Sequence, residues 1–241
     1  PLHAYDLKFA QPPFVVRRAG QGEIFTTLDE HDLVLSSGDI LITDSPDGAQ
    51  GSRAVGLAGV MGGLDSEVKE DTTDVVIEAA HFDPVSIART ARRHRLFSES
   101  SKRFERGVDP NLAPIAAART AELIAKYGGG TIDPVGFDFN EVSEPETIVF
   151  PASEVARLSG LDLESSKIAE ILTEIGCTVE QDGDQDTFLV TPPSWRPDLT
   201  GPAHLVEEVA RLHGYDKIPT TIPRARVGGG LTPAQLLRRR T

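Results

Sequence analysis

The apolar positions in the first third of the chain come as short runs, Phe14-Val15-Val16, Leu33-Val34-Leu35 and Ile40-Leu41-Ile42, separated by Gly, Asp and Ser. Runs of this length between turn-forming residues predict β-strands. Arg53 to Val60 leads into Gly62-Gly63, and Thr73 to Phe82 follows as a polar-bounded segment rich in β-branched side chains, which predicts a buried strand. The period then changes. Asp83-Pro84 sets an N-cap before a proline at the first helical position and predicts a helix to about Arg95. Asp109-Pro110 predicts another, with apolar positions to Tyr127 and Gly128-Gly129-Gly130 as its stop. A strand is expected around Ile132 to Phe139, and the polar stretch Asn140 to Glu146 reads as a linker.

Beyond the linker the pattern is more helical. Ser153 to Leu158 and Ser165 to Ile175 predict helices ending at Gly160 and Gly176. Cys177 to Glu180 and Thr187 to Thr191 predict a hairpin across Asp182-Gly183-Asp184. A Pro-rich loop from Pro192 to Asp198 precedes a helix from about Pro202 to His213, with Leu205, Val206, Val209 and Leu212 as its buried stripe. The fold expected is α+β: a mixed β-sheet domain with flanking helices over residues 1–142, then a small winged-helix-like α+β domain over 146–221. Residues 222–241 read as the start of a further domain, with a helix beginning near Thr232, and both ends of the chain read as cut from a larger protein.

The 241 residues suffice for two cores. No apolar run approaches the roughly 18 residues that a membrane-spanning helix needs. The single Cys177 has no internal partner for a disulfide. A cytoplasmic protein is expected. The formal net charge of -13 argues against a generally basic, nucleic-acid-coating surface. One local exception stands out, because Arg89, Arg92, Arg93, Arg95, Lys102, Arg103 and Arg106 crowd one stretch opposed only by Glu99 and Glu105. Either a solvated helix face or a phosphate-contacting patch explains it.

Candidate chemistry is sparse. Gly56-Leu57-Ala58-Gly59-Val60-Met61-Gly62-Gly63 follows neither the dinucleotide nor the P-loop pattern. Its glycines allow a ligand close to the backbone, or merely a tight turn. Glu78 is an acid inside an apolar strand, where alternation puts it on the face of Val76 and Ala80. A buried acid demands a partner, either an arginine or a ligand donor. His3 near the start is a positioning group, a general base or purely structural. Asp198, Glu207 and Glu208 offer oxygen ligands suited to magnesium, though the i, i+4 spacing of Glu207 and Arg211 favours a helical ion pair.

Several longer motifs, taken together, resemble one family. Pro1-Leu2-His3-Ala4-Tyr5-Asp6, the Gly56 to Gly63 run, Thr90-Ala91-Arg92-Arg93-His94, Arg103-Phe104-Glu105-Arg106-Gly107-Val108-Asp109-Pro110, Pro193-Ser194-Trp195-Arg196 and Leu205-Val206-Glu207-Glu208-Val209-Ala210-Arg211 look like the β subunit of bacterial phenylalanyl-tRNA synthetase. The resemblance implies an editing domain that hydrolyses tyrosine wrongly attached to tRNA(Phe), followed by a small domain. It implies Glu78 as reader of the tyrosine hydroxyl, Gly59 as pocket glycine, His3 as site histidine, and Ser98 and Ser100 as pocket lining. Arg92, Arg93 and Arg103 are the expected tRNA contacts. The family's magnesium pattern of Asp, Asp, Glu, Glu falls on Asp198, His204, Glu207 and Glu208, where the imidazole departs from it and weakens the set. The partners implied are an α subunit in an α2β2 heterotetramer and tRNA(Phe), with ATP and magnesium used by the complete enzyme. The competing reading is a non-catalytic scaffold that holds tRNA.

Overall fold

A computed structural model of the chain describes residues 1–183, 186–222 and 230–240. The fold divides into two compact units, one of residues 1–147 with 176–178 and 191–200, the other of 148–175 and 179–190 with the described residues from 201 onward.

The first unit is built from antiparallel ladders. β1 (Leu2–Asp6) pairs with β8 (Val75–Ala79), and a four-stranded sheet runs in the order β2 (Val15–Arg18), β5 (Ile40–Asp44), β6 (Arg53–Leu57), β7 (Met61–Gly62). A small hairpin joins β3 (Ile24–Thr26) to β4 (Asp32–Val34). The expected runs around Val15, Leu33 and Ile40 are therefore strands, and Phe25, Leu35, Leu41, Val55 and Leu57 form the core they enclose. β8 is half-buried rather than fully buried.

Three helices follow: α1 (Pro84–His94), α2 (Glu99–Glu105) and α3 (Leu112–Gly128). Asp83 accepts the Ser86 N–H at 2.7 Å and Pro84 occupies the first turn, while Ile87, Thr90 and Ala91 bury one face of α1. α2 went unforeseen, being short and polar with a buried face of only Ser101 and Phe104. α3 begins later than the Asp109-Pro110 signal predicts, since the Asp109 carboxylate accepts the Asn111 N–H at 3.0 Å and closes a turn first. Gly129, at φ +74°, ends it. The strand expected over Ile132 to Phe139 does not form: Val135 and Phe137 are 85% and 90% exposed, and no ladder among the described residues pairs their backbone.

In the second unit, β9 (Ile148–Pro151) is an edge of the three-stranded sheet ordered β10 (Thr178–Gln181), β11 (Thr187–Thr191), β9. The Asp184 end of the expected hairpin turn lies outside the described residues. Helices α4 (Ser153–Ser159), α5 (Ser165–Glu174) and α6 (Pro202–His213) pack together through Val155, Ile168, Leu172, Leu205 and Val209. Of the expected stripe of α6, Leu205, Val206 and Val209 are buried, whereas Leu212 is 44% exposed and Ala210 is buried instead. The last described helix, α7 (Pro233–Arg240), starts where Thr232 predicts; residues 223–229 of the expected further domain lie outside the described residues.

Candidate functional site

The β1–β8 ladder sets His3 opposite Glu78 and Tyr5 opposite Val76. By strand alternation His3, Tyr5, Val76 and Glu78 therefore share one face. Val76 and Ala80 pack on the core from that face, so Glu78 stands between two core residues. Its partner is not one of the arginines. The Tyr5 hydroxyl donates to Glu78 Oε2 at 2.5 Å. Burial pushes the Glu78 carboxyl above its ordinary pKa, and the Tyr5 bond pulls it back only in part. Burial and the adjacent Glu78 drive the Tyr5 phenol far above its usual range, so it remains a donor.

The glycine run is a hairpin. Gly56 pairs with Gly62 and Leu57 with Met61, so Ala58, Gly59 and Val60 form the tip. Three of its glycines are required by close approach. A Cβ at Gly56 would lie 2.7 Å from the Tyr5 hydroxyl, and one at Gly62 would lie 2.4 Å from both Cε1 and Nε2 of His3. Gly59, at φ +68°, is in the left-handed region, and a Cβ there would meet Ile87, Phe104 and Phe82 at 3.0–3.2 Å. The amides of Ala58 and Val60 are spent on the carbonyls of Ile40 and Leu57. Among the described residues the Gly59 N–H donates to nothing.

His3 Nε2 is buried against this hairpin without a hydrogen-bond partner among the described residues. Burial lowers the imidazole pKa below its ordinary 6.5, which leaves the ring neutral near pH 7. His3, Tyr5, Glu78, Gly56, Gly59, Gly62, Ser100 and Phe104 line a half-open cavity of about 90 Å³. That is smaller than the ~150 Å³ that holds a benzene ring, so an aromatic ligand sits partly outside it or widens it. A larger cleft of about 270 Å³, between Glu23, Thr26, Arg53 and Asp65, contains none of the residues expected to carry chemistry, so its size alone does not make it the site.

The two serines are fasteners for the hairpin tip. Ser98 donates to the Val60 carbonyl at 2.7 Å and accepts the Ser101 N–H as the N-cap of α2. Ser100 donates to the Gly59 carbonyl at 3.0 Å. Ser100 lines the cavity and Ser98 does not.

The basic stretch divides by partner. Arg93 donates to the fully buried Asp39, which also accepts from Thr90 at 3.0 Å and lies 2.8 Å from His94 Nε2. Arg93 is thus committed to joining α1 to the turn before β5. Lys102 and Arg103 flank Glu99 at 2.7 and 3.8 Å and remain largely exposed. Arg92 is exposed, and among the described residues it makes no ion pair.

The expected metal ligands are engaged by other side chains. Among the described residues no three His, Cys, Asp or Glu side chains converge to hold a metal ion. Both Asp198 oxygens accept from Arg196, at 2.9 and 2.7 Å. Glu207 accepts the Tyr215 hydroxyl at 2.8 Å, and Glu208 accepts from Arg211 at 2.5 Å. Arg211 therefore pairs at i, i+3 with Glu208, and not with Glu207 as the spacing suggested. His204 offers a nitrogen rather than an oxygen ligand. This donor set does not fit magnesium.

The first unit thus sets a glycine hairpin against a strand-borne acid and histidine, and the second is a small α+β fold of its own. Residues 1–129 match the B3/4 domain family and residues 148–215 the tRNA synthetase B5 domain family. The chain belongs to the phenylalanyl-tRNA synthetase β-subunit family, of which it carries these two domains. It is 58% identical over 244 residues to the phenylalanine–tRNA ligase β subunit of Bifidobacterium longum (strain NCC 2705), covering 100% of this chain and 28% of that protein. The corresponding subunit of Streptomyces avermitilis is 49% identical over 243 residues, with 100% and 28% covered. That of Leifsonia xyli subsp. xyli is 48% identical over 239 residues, with 99% and 27% covered. The chain thus spans little more than a quarter of the length of these relatives.

Proposed function

We propose that the first domain is the editing site of the synthetase and hydrolyses the ester of tyrosine wrongly joined to tRNA(Phe). The observation that carries this reading is the core-facing Glu78 carboxylate, with one oxygen bonded by Tyr5 and the other without a hydrogen-bond partner among the described residues, so that it can accept a ligand hydroxyl. A site built to hydrogen-bond the extra hydroxyl selects the error and spares phenylalanine. Phenylalanine would leave the free oxygen desolvated and unpaired, at roughly 1–3 kcal/mol, which is about tenfold or better discrimination.

Hydrolysis needs a positioned water and a donor for the developing oxyanion. The neutral His3 ring is suited to orient that water or take its proton, and the unspent Gly59 N–H is suited to the oxyanion. Exposed Arg92, with Arg103, would contact tRNA phosphates. In this reading residues 1–142 are the editing domain and 146–221 a supporting domain. The α subunit of an α2β2 cytoplasmic heterotetramer attaches phenylalanine using ATP and magnesium.

The test is deacylation of Tyr-tRNA(Phe) by the heterotetramer carrying Glu78→Ala. A loss of tenfold or more is expected, with phenylalanine attachment unchanged. Equal clearance by the variant would favour the second reading, a non-catalytic scaffold, for which the small cavity speaks.

A further inference from the structure

Glu78 meets a tyrosine before any substrate arrives. Tyr5 is 3% exposed, and its ring stands edge-on to His3 at 4.5 Å between centroids and beside Phe14 at 6.4 Å. Its hydroxyl lies over Gly56 so closely that any side chain there would strike it. The buried phenol is thus packed against the acid, with its hydroxyl 2.5 Å from Oε2.

We propose that Tyr5 is a specificity-positioning residue, whose hydroxyl permanently occupies Glu78 Oε2 so that Oε1 alone is offered, in one direction, to the hydroxyl of an incoming tyrosyl ester. This rests on the editing reading above and goes beyond it by assigning the two carboxylate oxygens different tasks. A carboxylate free to rotate about its last bond presents either oxygen over a wide arc. One anchored through Oε2 is already oriented, so the substrate bond forms without the cost of ordering the acceptor. The same bond gives the buried carboxylate a partner while the cavity is empty. A phenylalanyl ester would then be penalised at one oxygen only. Tyr5 touches neither the ester nor the water and acts through Glu78.

The experiment compares heterotetramers with Tyr5→Phe and Glu78→Ala for deacylation of both Tyr-tRNA(Phe) and Phe-tRNA(Phe). Tyr5→Phe keeps the ring and removes only the hydroxyl, and unchanged phenylalanine attachment and thermal midpoint check that the fold persists. The expected result is a fall of roughly tenfold in the ratio of kcat/KM for the tyrosyl over the phenylalanyl ester. The fall should come from the tyrosyl substrate, with the phenylalanyl rate unchanged or raised. A merely structural role would lower both rates together and leave the ratio intact, and that outcome overturns the proposal. If Glu78→Ala collapses the ratio while Tyr5→Phe preserves it, the editing reading stands and the role of Tyr5 is wrong. If Glu78→Ala also preserves it, the editing reading itself is wrong and the proposal goes with it.

Discussion

Gly62→Ala tests whether the imidazole of His3 must sit where the hairpin holds it. Gly62 lies in β7 without a left-handed backbone, so alanine brings no conformational strain of its own. The added methyl would stand 2.4 Å from Cε1 and Nε2 of His3 and 3.2 Å from Leu28, against ordinary contact beginning near 3.4 Å. The ring must retreat by about 1 Å, and the Tyr5 ring at 4.5 Å stands beside it. Overpacking of this kind costs roughly 1–3 kcal/mol of stability. A displacement of ~1 Å in a group acting on the reacting atoms costs up to about 100-fold in rate, or roughly 2.7 kcal/mol in the barrier. Single-turnover deacylation of Tyr-tRNA(Phe) should therefore slow by one to two orders of magnitude, with KM little changed. Gly128→Ala is the control, since a Cβ there meets nothing within 4 Å. A Gly62→Ala enzyme that edits at the parental rate would refute the inference that His3 acts from this position.

Two other perturbations read the basic stretch apart. Asp39→Ala removes the buried acceptor of Thr90, Arg93 and the Ser36 N–H, with His94 beside it, and should destabilise the first domain by roughly 3 kcal/mol, the lower end for a broken buried pair because Arg93 remains 36% exposed; denaturant unfolding measures it. Burial pushes the Asp39 carboxyl up, but its bonds to the Ser36 N–H, His94 and Thr90 outweigh this and hold it below 3.8. Its contribution should be complete above pH 3.8 and fade as pH falls through the lower folded value, and acid unfolding of the Asp39→Ala variant should lack that component. Arg92→Ala should leave stability unchanged and lower the slope of log K for tRNA against log salt by about 0.7–0.9, whereas an unchanged slope would identify a solvated face.

Helix ends were readable along the chain because they are decided by neighbours. Asp83-Pro84 and the Ser86 N–H lie within one turn, and Gly129 and Gly160 stop their helices by a backbone conformation that needs no distant contact. The same locality explains the misses. Alternating apolar residues from Ile132 to Phe139 look like a strand, but a strand requires a second chain segment to pair with. Glu78 was legible as an anomalous acid, and its face followed from alternation alone. Its partner was not legible, because Tyr5 lies 73 residues away and any of several arginines would have satisfied the same charge.

By itself the sequence determined the α+β class, most of the helix ends and a short list of residues able to do chemistry. Only the tertiary structure decided their pairings. It gave Arg93 to Asp39 and Tyr5 to Glu78, pairs 54 and 73 residues apart. The physical reason is one of range. Caps, turns and periodicity act over a few residues of backbone. A buried charge instead takes whichever donor the folded core brings within about 3 Å, and chain spacing does not encode that choice.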